Sequence, residues 1–394
     1  MFKRRILLLA SSCSFCFGLP AVADDNAVST TIHHQYQSTR AMGMGDGFIA
    51  VADDYSALMY NPAGLARRED SQVNLSVGLA ASSEFNKTYN QINGVQNGGG
   101  SDTDKETDLL NIIQANYGKT YSARLVPLEA FWVKPKWGVA IIPADVSLEM
   151  TMHDLVGPSI SATAYADTTV AIGYGDDLYW FDYGRLSWGI TGKFVNRGFV
   201  SKDIYAVDLA SSTQVIQKDD LHEGYTFDAD LGTLWTPELP NEGIWSAMRL
   251  ARPTFGAVIR NIGQTGFGHS LHLINNDSSQ PPEELYRVLD LGSRWEYPSM
   301  WIFGGRGVLD FRDLGHPELT WRRAVHAGLE FDWTLSSWWK GQYRVGLNDG
   351  YWTAGISAEL GIFNLDLVSY ADDVGTPAEP MESRLYAVKL NMDF

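Results

Sequence analysis

The sequence predicts an all-β chain, a transmembrane antiparallel barrel of about fourteen strands, and three observations point to it. The last ten residues alternate: Tyr386, Val388, Leu390, Met392 and Phe394 share one face, and Leu385, Ala387, Lys389, Asn391 and Asp393 share the other. Alternating segments of this kind recur from residue 71 onward, separated by clusters of Gly, Pro, Asn and Asp. Beyond the first 23 residues no apolar run is long enough for a transmembrane helix, so a chain held in a bilayer must satisfy its backbone by closing a sheet. A half-buried strand of a soluble sandwich alternates too, and the other features of the chain decide between the two.

Residues 1–23 read as an export signal. Lys3, Arg4 and Arg5 form a basic start, an apolar stretch follows from Ile6 to about Leu19, and Ala21-Val22-Ala23 is a cleavage site. Both cysteines, Cys13 and Cys16, lie inside it, so the mature chain is expected to have no thiol, disulfide or cysteine metal site. Loss of those three cations takes the formal charge from −17 to −20, a balance that argues against a nucleic-acid partner.

The expected strands lie near 72–83, 124–134, 136–151, 163–175, 185–198, 225–236, 253–262, 286–296, 301–312, 323–334, 338–347, 350–361, 363–371 and 383–394. In the strand at 323, Val325, Ala327, Leu329, Phe331 and Trp333 oppose His326, Gly328, Glu330 and Asp332. A sandwich would put the charged faces in solvent; a barrel puts them in its lumen. With the first strand running outward, the outer connections are 84–123, 152–162, 199–224, 263–285, 313–322, 348–349 and 372–382. The inner ones are near 135, 176–184, 237–252, 297–300, 335–337 and 362, and most long connections fall on one side, as outer-membrane barrels require. In the loop 84–123, Asn93 to Gly100 reads as flexible, and Asp108 to Ala115 as a short apolar helix that covers or feeds an entrance, or simply packs.

Residues 39–68 carry the most specific motif. Arg40-Ala-Met-Gly-Met-Gly45, Ala52-Asp53-Asp54 and Asn61-Pro62-Ala63-Gly64-Leu65 together resemble the N-terminus of the FadL superfamily of outer-membrane proteins. The C-terminal Phe394 resembles the assembly signal of such barrels. The resemblance implies a plug, or hatch, folded inside a fourteen-stranded barrel: signal 1–23, plug 24–70, barrel 71–394. Gly43, Gly45 and Gly47 suit tight turns inside a narrow lumen, and Asn61 with Pro62 favours a turn. Asp53 and Asp54 are expected to accept hydrogen bonds from inward cations, for which Lys193, Arg260, Arg306, Lys340, Arg344 and Lys389 are candidates, with Glu330 among the inward charges.

Pro143 interrupts the third expected strand. Proline cannot donate to a ladder and marks a bulge, kink or edge. FadL-type transporters are kinked in that strand, which implies a lateral opening here; unbroken pairing on both sides of residues 141–145 would exclude it. Enzyme motifs are absent, His33-His34 and His153-Asp154 read as exposed loop residues, and no metal or cofactor is expected. The acidic pairs Asp176-Asp177, Asp219-Asp220 and Asp372-Asp373 read as solvated turns.

The resemblance implies passive uptake of hydrophobic small molecules of the long-chain fatty acid or hydrocarbon class, by a monomer surrounded by outer-membrane lipid. The alternative is a secretion-system partner, because Arg40 to Gly45 and Ala50 to Asp54 are similar to the PorV-like members of the same group.

Overall fold

The computed structural model describes residues 31–155, 157–211, 216–273, 281–300, 303–336 and 338–394, so the expected signal 1–23 lies outside the described residues. Fourteen antiparallel strands close on themselves in sequence order. They are β1 (Gln72–Ser82), β2 (Thr120–Lys134), β3 (Trp137–His153), β4 (Ser159–Asp177), β5 (Gly184–Tyr205), β6 (His222–Pro237) and β7 (Thr254–Arg260), then β8 (Val288–Met300), β9 (Phe303–Leu314), β10 (Val325–Ser336), β11 (Trp339–Asn348), β12 (Tyr351–Leu360), β13 (Phe363–Asp373) and β14 (Glu382–Asp393). Closure is between β1 and β14, and Val73 and Phe394 exchange both backbone hydrogen bonds at 2.9 Å.

The alternation sets the wall. Val77, Leu79, Trp132, Ile172, Phe227, Val345, Trp352 and Val388 are exposed on the outer surface, while Asn74, Glu129, Lys193, Asp290, Glu330 and Lys389 are buried on the inner one. An apolar outer belt around a closed ladder is what a bilayer accepts, since no strand edge is left for lipid to solvate. No helix among the described residues is long and apolar enough to cross a membrane.

We call the end that holds Gln72 and Phe394 the base, and the opposite end the top. Base connections are short, except residues 238–253, which contain the helix Ile244–Leu250. The top carries longer loops. In the loop between β1 and β2, two helices, Phe85–Asn97 and Asp102–Gln114, pack with Ala206–Ser211 and the upper ends of β2 to β5, burying Ile92, Leu109, Ile113, Tyr121, Met152 and Leu209. The stretch expected to be flexible is therefore half helical: Asn93–Asn97 ends the first helix, and the bend falls at Gly98 to Gly100.

Residues 33–68 run inside the barrel. They form two short helices, Thr39–Gly43 and Ala57–Tyr60, and a 3₁₀ turn, Pro62–Arg67. Ala41, Met44, Phe48, Ile49, Leu58 and Leu65 are fully buried, packed against inward residues of the wall. The approach is close enough to require glycine on both sides. Gly45 has φ +67°, and a Cβ there would strike the carbonyl of Leu347. On β10, a Cβ at Gly328 would strike the carbonyl of Met44.

Candidate functional site

The lumen is organised by arginine and carboxylate. Glu330, on the inner face of β10, is its hub: it accepts from Arg40 Nη2 at 2.8 Å and from Arg344 Nε at 2.8 Å, and lies 3.3 Å from Arg306 Nε. Arg40 turns its other nitrogen to Asp53 at 2.7 Å and Asp54 at 2.9 Å, and Arg306 also pairs with Asp53. Burial works against ionisation of Asp53, but the Arg40 and Arg306 guanidiniums outweigh it and hold the carboxyl well below the usual range. The segment is thus pinned to β9 and β10, and through Glu330 to Arg344 on β11.

The remaining expected cations find other partners. Lys193 pairs with Asp230 at 2.8 Å. Arg260 pairs with Asp290 at 2.5 Å and donates to the carbonyls of Met59 and Tyr60, capping the second helix of the segment. Lys389 pairs with Glu129 at 2.5 Å, and Arg344 also approaches Asp366 at 3.4 Å. Lys340 has the inward parity but lies at the base rim, half-exposed and paired with Glu359 at 2.7 Å. Of the six expected cations, Arg306 alone bonds Asp53, and the partner shared by both acids is Arg40 of their own segment.

Asn61 donates to the carbonyls of Ile49 and Thr233 and accepts from the Ala63 amide at 3.1 Å, starting the 3₁₀ turn with Pro62 at its head. Gly64 sits where a Cβ would strike the Ala52 carbonyl, and Gly43 and Gly47 pack against Arg344 and Val308.

Two readings need correction. His33 and His34 are not exposed loop residues: they line the upper lumen, bonded to Asp167 at 3.0 Å and Asp313 at 2.9 Å. For His33 burial dominates, with Arg197 nearby, and its pKa falls to about 4; for His34 burial is outweighed by Asp313 and the pKa rises. Asp373 is not a solvated turn residue either, since it is buried beside Arg323 near the top of β13.

The ladder of the closed wall is irregular on one side. Pro143 faces outward in β3, and the ladder to β4 slips between Ile142 and Asp145, so Pro143 and Ala144 stand opposite Thr168 alone. On its other side the β2–β3 register slips between Leu125 and Leu128 and again between Leu128 and Ala130. The register is thus shifted by bulges on both sides of residues 141–145. The sequence reading had missed the reason on β2: Pro127 sits within that strand, and the β1–β2 register slips opposite it, between Ser76 and Gly78. A second proline inside an alternating run was the available signal. Each slip also inverts side-chain parity, so that Val126 and Glu129 both face inward, as do Ile142 and Asp145.

Behind this seam an apolar cluster stands beside the Lys389–Glu129 and Arg124–Asp145 ion pairs. Val126, Phe131 and Ile142 pack with the internal segment, and Phe131 is flanked by Tyr36 and Tyr55 at ring separations of 5.5 and 5.0 Å. A small cavity of about 40 Å³ lies here, lined by Met42, Ala80 and Val126 together with Arg124, Glu129 and Lys389. Two other cavities, of about 90 and 70 Å³, flank residues 31–37 and are polar, lined by Lys193, Arg197 and Arg260 in one and by Arg124, Glu149 and Asp372 in the other.

No family model and no curated protein matches the chain. Among solved structures it is similar to the CymD monoaromatic hydrocarbon channel, with a TM-score of 0.45 and 8% identity over 90% of this chain and 96% of that one. It is similar to a Pseudomonas aeruginosa FadL homologue, with a TM-score of 0.44 and 10% identity over 93% and 99%. The Pseudomonas putida toluene transporter TodX gives 0.43 and 8% over 90% and 96%.

Proposed function

We propose that this chain is an outer-membrane channel for passive uptake of small hydrophobic molecules, of the hydrocarbon or long-chain fatty acid class. Residues 24–70 act as its plug, the base faces the periplasm, and substrate leaves sideways into the bilayer past Pro127 and Pro143. The observation that supports this most is the coincidence of two features: the bulges that shift the register across β1 to β4, and the cluster of Tyr36, Tyr55, Val126, Phe131 and Ile142 behind them. Apolar side chains facing a lumen otherwise rich in ion pairs suit a passage for molecules that partition into lipid. No covalent chemistry is needed; consumption inside the cell sets the direction.

A second reading is favoured by the lumen itself. The network around Glu330 holds the segment in place, which suits a barrel that presents a fixed surface to a secretion-system protein.

Leu128 and Ala144 are register partners within the seam. The test is uptake of labelled palmitate or toluene by cells whose other channels are deleted, with a Leu128→Cys/Ala144→Cys pair that closes a disulfide there. Uptake that falls on oxidation and returns with reductant supports the channel. Uptake equal to that of the unlocked protein removes the lateral route, and a stoichiometric protein partner in native mass spectrometry with no small adduct moves the assignment to secretion.

A further inference from the structure

The base mouth is built of arginine in a chain whose formal charge is −17. It is a cavity of about 770 Å³, lined by Arg67, Arg68, Arg185, Arg249, Arg252 and Arg294. Four carboxylates share it. Asp53 is committed to Arg40 and Arg306, and Glu296 lies 3.4 Å from Arg294 and 3.9 Å from Arg252. Glu69 and Glu238 are the other two, and Arg185 pairs with Asp177 at 3.0 Å.

Arg67 and Arg68 have no carboxylate at ion-pair distance among the described residues. Arg67 donates to Ser187, Thr236 and the Leu234 carbonyl, all neutral acceptors. Arg68 donates to the Asp53 carbonyl and Gln72. Two buried nitrogens, Arg68 Nε and Arg294 Nε, have no hydrogen-bond partner among the described residues. A guanidinium offers a planar fork of donors suited to a tetrahedral or planar oxyanion. Burial first, and then the neighbouring Arg185 and Arg294, push the Arg67 pKa down to about 10; burial lowers that of Arg68 too. A bound anion relieves both.

We propose that the base mouth is a phosphoryl-binding site, in which Arg67, Arg68 and Arg294 hold the anion and Arg249 and Arg252 guide it at the rim. Two sources share this chemistry: the headgroup of a phospholipid in the adjoining leaflet, and a free phosphate ester. The site does not depend on the channel reading.

The experiment is calorimetric titration of the full-length protein, in neutral detergent, with inorganic pyrophosphate. Saturable binding is expected, weakened about tenfold or more in Arg67→Gln/Arg68→Gln, which loses charge-assisted hydrogen bonds. A weakening of about threefold is expected in Arg249→Gln/Arg252→Gln, whose exposed side chains anchor nothing else in the lumen. If the first pair fails to fold, the rim pair still decides. Absence of saturable binding, or equal affinity in the wild type and the rim pair, overturns the proposal. With binding established, native mass spectrometry assigns the source. A co-purified phospholipid adduct lost in Arg67→Gln/Arg68→Gln means the headgroup; no adduct means the free ester.

Discussion

Replacing Glu330 by Gln tests whether the lumen's ion pairs seat the internal segment. The carboxylate takes four N–H contacts: Oε2 accepts from Arg40 Nε at 2.9 Å and Arg344 Nε at 2.8 Å, and Oε1 faces Arg40 Nη2 at 2.8 Å and Arg306 Nε at 3.3 Å. The amide keeps one acceptor oxygen and turns an NH₂ group toward guanidiniums that cannot accept. Removing one partner from a buried ion pair costs about 3–5 kcal/mol. Arg40 retains Asp53 and Asp54, which places the loss near the lower figure. At about 1.4 kcal/mol per decade, the population with the segment undocked rises on the order of 10²-fold. The assay is trypsin cleavage after Arg40, at protease concentrations low enough that reclosing outruns cutting and the rate tracks the open population. The expected result is cleavage about 10²-fold faster in a barrel that still resists SDS. Lys340→Gln is the control. Its side chain is 51% exposed at the rim, and the change there should be within about twofold. Wild-type cleavage of Glu330→Gln, or loss of the segment and the barrel in one transition, would refute the argument.

Gly45→Ala should undock the same segment for a steric reason, because the new Cβ meets the Leu347 carbonyl at a positive φ; overpacking of this kind costs about 1–3 kcal/mol and is read by the same proteolysis. Asp349, in the turn between β11 and β12, has its pKa raised to about 8 by burial and then by the Asp372 carboxylate. A carboxyl whose folded pKa lies above its unfolded value withdraws stability as pH climbs from about 4 to about 8. Asp349→Asn should therefore gain on the wild type across that window and level off above it, as measured by thermal midpoints in a pH series.

The strands were legible because a closed wall with an apolar outer face and a polar inner one enforces a period of two, and all fourteen fall where alternation placed them. Their upper ends were not. β5 runs to Tyr205 where the pattern stops near 198, because above the lipid belt both faces can be polar and the period vanishes. Parity identified which cations face inward, but parity carries no information on depth, so Lys340 at the rim and Arg344 at the hub looked alike. His33 and His34 were misplaced for a related reason. Their partners Asp167 and Asp313 lie 134 and 279 positions away, and nothing local in residues 31–37 signals burial. Pro143 was visible as a chain-breaker, yet the seam needs Pro127 as well, and only the closed sheet sets the two side by side.

The paired slips in β2 and β3 constrain how this chain can tolerate gaps. Each adds one residue, and each swaps the faces of everything on one side of it. Deleting Pro127 alone would turn one half of β2 over, sending Arg124 toward hydrocarbon, or Glu129 with its partner Lys389 left behind. Descendants of this sequence should therefore keep both extra residues, and any that lose one must restore parity elsewhere in the same hairpin.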